Sequence, residues 1–321
     1  MQRRPRRIAG FVTTVVLLGV LLLVVTHRNQ IYDWQKLRGY TPPASVAKLA
    51  ADTTMTPYTQ HLFYVNHPEI QDKTEFNQNC PNGGGEQTII LGCYRDHQTG
   101  IFVYAVSDPQ LSGIQQVTAA HEALHAVYDR LSPKERAYVD GLLQDYFTNG
   151  LHDKRIIDTI AAYKKSEPND LVNEMHSIFG TEVADLPPVL ESYYRKYFIN
   201  RKRVVAFAAQ YQQAFTGRET QIAQYDAQLQ SMKQQIEQKQ ADLSNQAQVL
   251  NSTRSQVENG NDSVQIGAYN QKVRIYNNEL TATNALIDRF NAILDKRNAL
   301  AVEEQQLYKA INSNLQPQSA Q

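Results

Sequence analysis

His121, Glu122 and His125 lie in the run VTAAHEALHAVY, residues 117–128, where every other residue except Thr118 and Tyr128 is aliphatic. Residues four apart on a helix share a face, so the two imidazoles point the same way and can grip one divalent cation. Glu122 stands beside them, placed to take a proton from water activated by that cation. Two imidazoles and a carboxylate on an apolar helix are costly to bury unless each finds a partner, and a shared Zn2+ ion provides one. The bland alternative is two core histidines satisfied by other partners, with Glu122 exposed.

On these residues the chain resembles the zincin metallopeptidases over residues 45–186 at most. The resemblance implies one Zn2+ per chain, a small twisted sheet, an active-site helix bearing H-E-x-x-H, a third ligand from a later helix, and a peptide or protein substrate. The metzincin branch does not fit, because its pattern needs a glycine where Tyr128 stands and a third histidine where Leu131 stands. The gluzincin branch is closer. Its third ligand is a downstream glutamate, often in N-E-x-x-S-D, and here Asn173-Glu174-Met175-His176-Ser177-Ile178 follows, with Glu174 49 residues after His125. The resemblance therefore implies His121, His125 and Glu174 as metal ligands and Glu122 as general base, with His176 and Glu182 as rival third ligands. Ile178 replaces the aspartate that supports a zinc-bound imidazole, leaving Asp129, Asp170 or Asp185 for that part. An oxyanion donor is also implied, and His152, His176, Tyr193, Tyr194 and Tyr197 are candidates with none singled out. Residues 101–106 resemble the edge strand along which zincins lay an extended peptide, or are simply a core strand.

The elements that must position these groups can be read from patterning. Residues 45–51 suit one or two helical turns, and His61–Val65 (HLFYV) has the aromatic and β-branched content of a short strand. After the glycines 83–85, residues 88–94 and 101–106 read as two strands of a hairpin joined by the polar turn 95–100. From Ile114 the period becomes helical: 114–130, then a helix to about Phe147 opened by the capping box Ser132-Pro133-Lys134-Glu135, then 154–165 and 170–179. The fold class expected is α+β, with the sheet first and helices after.

The last third differs in kind. Ile222, Leu229, Ile236, Leu243, Leu250 and Val257 recur every seven residues, with Tyr225, Met232, Lys239, Gln246 and Thr253 between them. Asn259-Gly260-Asn261-Asp262 breaks the pattern. A second row then follows: Ile266, Val273, Leu280, Ile287, Leu294 and Ala301, interleaved with Tyr269, Tyr276, Thr283 and Phe290. This predicts a long antiparallel coiled-coil hairpin over 187–314, its first arm beginning near Pro188, before a disordered tail 315–321.

Ile8–Val25 is an 18-residue uncharged apolar run, close to the thickness of a bilayer core. No A-x-A-like site follows it, so it reads as an uncleaved anchor over 8–26 rather than a signal peptide. Arg3, Arg4, Arg6 and Arg7 precede the run, which leaves 1–7 as a cytoplasmic tail and everything after the anchor outside, with 27–44 as a stalk. Cys80 and Cys93 would then lie in an oxidising space, where a bridge contributes roughly 3 kcal/mol.

Balanced charge, 32 basic against 32 acidic residues, argues against nucleic acid as a partner. Arg195, Lys196, Arg201, Lys202 and Arg203 read as a solvated helical face rather than a polyanion site. Asn251 and Asn261 stand in N-x-S/T sequons, which matter only where secreted proteins are glycosylated. The expected partners are a peptide or protein substrate, the lipid bilayer, and a coiled-coil partner or a second copy of the chain. Two functional classes remain. One is a membrane-anchored extracytoplasmic zinc metallopeptidase, with the arm as spacer, capture device or a regulator over the cleft. The other is an envelope structural or interaction protein whose zinc only holds the head together. Ligand count separates them, since structural zinc has four protein ligands and catalytic zinc leaves a place for water.

Overall fold

The computed structural model describes residues 5–81, 91–95, 97–166, 168–260 and 262–313. The chain is mostly helical with one small sheet, loosely compatible with the α+β class. Its contacts divide it into two compact units, residues 1–211 with 311–321, and residues 212–310.

The first unit opens with helix α1 (Pro5–Thr26), whose valines and leucines from Val15 to Val25 are exposed. Among the described residues no single helix is long and apolar enough to cross a membrane; Thr13–Thr26 and Arg28–Leu37 meet that test only together, with a bend of 65°. The segment expected as a stalk holds helix α2 (Arg28–Leu37), which is docked on the head. Its buried Asp33 binds Arg130 and, at 3.0 Å, His61, and Tyr32 donates to the Gln98 carbonyl.

Helix α3 (Ala44–Asp52) precedes α4 (Pro57–Val65). The latter overturns the strand expected at His61–Val65. Thr56 caps the helix by accepting from the Thr59 amide, and Pro57 at its first position has the φ a helix needs. Thr59, Leu62 and Phe63 then fall on one buried face, and this burial overrides the β-propensity of the side chains.

The sheet has order β1-β3-β2. Strand β1 (Glu69–Gln71), which nothing in the sequence announced, leads to helix α5 (Lys73–Asn79), and β2 (Gly92–Arg95) forms the expected hairpin with β3 (Gly100–Tyr104). Residues 88–90 of the expected first strand lie outside the described residues. β1 pairs parallel and β2 antiparallel with β3, so β3 is the central strand. That corrects the expectation of an edge strand at 101–106, where the alternative of a core strand holds: among the described residues β2 and β1 are the edges. Cys80 and Cys93 form the expected disulfide, joining the end of α5 to β2.

Helix α6 (Ile114–Asp129) starts at Gly113, whose φ of +99° places it in the left-handed region; a Cβ there would lie 2.8 Å from the Phe207 carbonyl. Helix α7 (Pro133–Asn149) has the full capping box, Ser132 with Glu135, and α8 (Lys154–Ser166) and α9 (Leu171–Glu182) follow as expected. α6 is buried along most of its length, with α9, α4, α3 and the sheet packed around it.

Helix α10 (Pro188–Tyr194) is separate from α11 (Arg201–Glu258), so the long arm starts at Arg201 and not near Pro188. Arg201 also departs from the solvated face expected of its basic cluster. It is 2% exposed, paired with Glu191 at 2.7 Å and donating to the carbonyls of Phe179, Val183 and Ala184. Arg195, Lys196, Lys202 and Arg203 are exposed as expected.

The second unit holds most of α11 and of α12 (Ser263–Ile311). The two helices run antiparallel within it: Phe215 meets Tyr308, Arg218 pairs with Glu303, Arg297 with Asp226, and Gln246 with Glu279. Leu229, Met232 and Leu243 are buried from the first expected row, and Thr283 from the second. Ile266 and Leu280 depart from their row and are exposed, and the neighbouring Glu279 accepts from Gln246 across the pair. Asn251 is exposed on α11, while Asn261 lies outside the described residues.

Candidate metal and catalytic site

α6 and α9 pack closely because Gly180 removes a side chain from their contact. A Cβ there would fall 2.4 Å from Leu124 Cδ1 and 2.8 Å from Tyr194 Cε1. The approach brings Glu174, in the first turn of α9, up to the histidines of α6. Its two oxygens divide between them: Oε2 lies 3.4 Å from His121 Nε2, and Oε1 lies 3.4 Å from His125 Nε2. One ligand atom from each of the three residues lies within 4.8 Å of the others.

The donor set fits zinc. Bonds of about 2.0–2.1 Å in a tetrahedron put ligand atoms about 3.3–3.4 Å apart. Each imidazole lies at 3.4 Å from one of the two Glu174 oxygens, and the three ligand atoms, within 4.8 Å of one another, draw slightly closer around a bound ion. Glu174 Oε2 is buried and has no hydrogen-bond partner, an expense that a cation between the groups removes.

The electrostatics point the same way. Burial disfavours the charged form of His121, yet Glu174 outweighs it and raises the imidazole to about 9. Burial would also raise Glu174, but His125 and His121 hold its carboxyl below the usual value. Glu122 is pushed up, mainly by burial, against the downward pull of both histidines and of a hydrogen bond from the Tyr94 backbone.

The rival ligands are held elsewhere. Glu182 accepts from Arg155 at 2.6 Å, and His176, fully buried, bonds Tyr193 Oη at 2.9 Å through Nε2. Burial, reinforced by His125 and His121, lowers His176 to about 3, so it is neutral. Of the oxyanion candidates, Tyr193, Tyr194 and Tyr197 pack around that imidazole in the core, with Tyr194 donating to the His176 carbonyl, and His152 is exposed. Asp129 accepts from Tyr94 Oη at 2.8 Å, and the Tyr94 ring stacks on His125 with centroids 6.5 Å apart. Asp129 thus reaches His125 through Tyr94. Asp170 accepts from Asn173, and the Asp185 carbonyl accepts from Tyr146.

A cavity of about 220 Å3 opens against His121 and Glu122, between α6, α8, α9, β2 and Tyr211. Ile114, Val117 and Ile178 give it apolar walls, and the Arg155–Glu182 pair, Thr159 and Tyr163 give it a polar side. Sequence reasoning missed Gly92, Tyr94, Arg155 and Gly180. Only the glycines carried any signal, since a glycine within a strand or helix hints at close approach.

No family model, curated protein or solved structure matches the chain.

Proposed function

We propose that the chain is a membrane-anchored, extracytoplasmic zinc metallopeptidase that hydrolyses peptide bonds with Glu122 as general base. The observation that carries this reading is the convergence of His121, His125 and Glu174 beside a cavity onto which Glu122 opens. Bound Zn2+ supplies Lewis acidity and brings the pKa of water towards about 7. Glu122 takes the proton of the attacking water and passes it to the leaving amine, and burial raises its pKa above the usual carboxylate value, which makes it a stronger base than an exposed glutamate.

Ligand count favours catalysis over a structural zinc. Glu182 and His176 are engaged by Arg155 and Tyr193, so among the described residues three ligands converge, the number that leaves a fourth position for water. The exposed valines and leucines of α1, preceded by four arginines, support the anchor and its orientation. The antiparallel contacts of α11 and α12 support a coiled-coil hairpin as the attached arm.

The test is zinc stoichiometry and cleavage of a peptide library by the full chain in detergent, with a chelator control. Glu122→Gln keeps the metal and loses about a hundredfold or more in turnover, and His121→Ala loses the metal. Undiminished turnover in Glu122→Gln would contradict the assigned base.

A further inference from the structure

We infer that β2 is the positioning element for the base: Gly92 and Tyr94 seat Glu122, and the Cys80–Cys93 disulfide holds the strand that carries them. This rests on the metallopeptidase reading of Glu122.

The strand register supplies the first step. The Tyr104 amide donates to the Leu91 carbonyl at 2.8 Å, so 91 and 104 are a hydrogen-bonded pair. Antiparallel pairing alternates, which makes 93 with 102 and 95 with 100 the next such pairs. The main-chain groups of Gly92 and Tyr94 therefore turn away from β3, which leaves the Tyr94 N–H outside the sheet's pairing and directed to the side from which Gly92 approaches Glu122. The downward pull of a Tyr94 backbone hydrogen bond on the Glu122 carboxyl agrees with that placement.

Side-chain alternation gives the second step. Gly92 and Tyr94 face α6, and Cys93 faces the other way, into its bridge with Cys80 at the end of α5. A Cβ on residue 92 would lie 2.6 Å from Glu122 Oε1, 2.9 Å from Glu122 Cγ and 2.5 Å from Thr118 Cγ2. Any side chain there displaces either the strand or the carboxylate. Tyr94 fixes the other end of the contact through Asp129 and through its ring on His125. The strand thus grips α6 on both sides of Glu122 while supplying no ligand atom to the metal group. Its contact with the base is at Gly92, away from the Tyr94 ring that lies on His125, so a change at Gly92 moves the base before it reaches the metal group.

Two measurements decide this. In the full chain in detergent, labelled with 15N-tyrosine, the Tyr94 amide is assigned by its loss in Tyr94→Phe. In Glu122→Ala that resonance shifts and exchanges with solvent about tenfold faster or more, as loss of a hydrogen bond to a charged group requires. An unmoved resonance with unchanged exchange overturns the inference, whether or not the protein proves to be a peptidase. In the second measurement Gly92→Ala, and separately Cys80→Ser with Cys93→Ser, retain one zinc per chain and keep KM within about twofold while kcat falls up to about a hundredfold. Wild-type kcat in a folded, zinc-loaded Gly92→Ala, or loss of its zinc, overturns the assignment. If that variant does not fold, the amide measurement decides. A wild-type chain that cleaves no peptide defeats the metallopeptidase reading and leaves the amide test standing.

Discussion

At His121 two physical demands oppose each other. Burial would strip the imidazole of its proton, yet Glu174 beside it raises its pKa to about 9. A zinc ligand must be the neutral imidazole, so zinc loading at pH 7 expels at least one proton from the site. The sign follows: apparent affinity rises with pH up to about 9, where His121 no longer competes as a proton acceptor, and levels off above it. Calorimetry in two buffers of different ionisation enthalpy counts the protons, and a count of zero would contradict the pairing of His121 with Glu174. Gly180 permits a second residue-scale test. Gly180→Ala drives a methyl into Leu124 and Tyr194 at the seam that brings Glu174 to the histidines. The expected cost is about 1–3 kcal/mol in thermal or denaturant unfolding, with weakened zinc binding as α9 backs away. A variant as stable as the parent would show that α6 and α9 are not in fixed contact there.

Helix starts show how far local chemistry reaches. At α7 the cap is complete: Ser132 Oγ accepts from the Glu135 amide and Glu135 Oε2 accepts from the Ser132 amide at 3.0 Å. Ser132→Ala should cost about 1 kcal/mol, read as a lower unfolding midpoint with unchanged zinc content. This element was legible in the sequence because its signals are adjacent residues. The same holds for α6, whose metal-ligand spacing is a property of one helix, and for the hairpin with its polar turn. α4 was misread because its composition favours a strand, while Thr56 and Pro57 at its start and burial of one face decide for a helix. β1 went unseen because three residues pair parallel with a strand about thirty positions later, a relation with no local signature. The site divides in the same way. His121, Glu122 and His125 were read from spacing, and Glu174 came by resemblance. Gly92, Tyr94 and Gly180 depend on how closely two elements approach, which only the packed chain reveals.

At the scale of the whole molecule the two units are held by different physics. Residues 1–211 with 311–321 enclose a core built on α6, whereas residues 212–310 form two antiparallel helices with a narrow seam of which Leu229, Met232 and Leu243 are the buried apolar centre. A seam that also seats Gln246, Glu279 and Thr283 relies on few apolar contacts, so each weighs heavily. Leu243→Ala should remove about 2 kcal/mol or more. For a unit near a hundred residues that lowers the midpoint by about 10 °C. Units with separate cores need not unfold as one, so calorimetry of the full chain should show two transitions. Leu243→Ala then shifts one and Gly180→Ala the other. Distant substitutions that share no partner act independently, and this is the basis for expecting separate shifts. A single transition moved by both substitutions would mean that the helical arm and the head fold as one cooperative body, and the arm would then bear on the site's stability as well as extend from it.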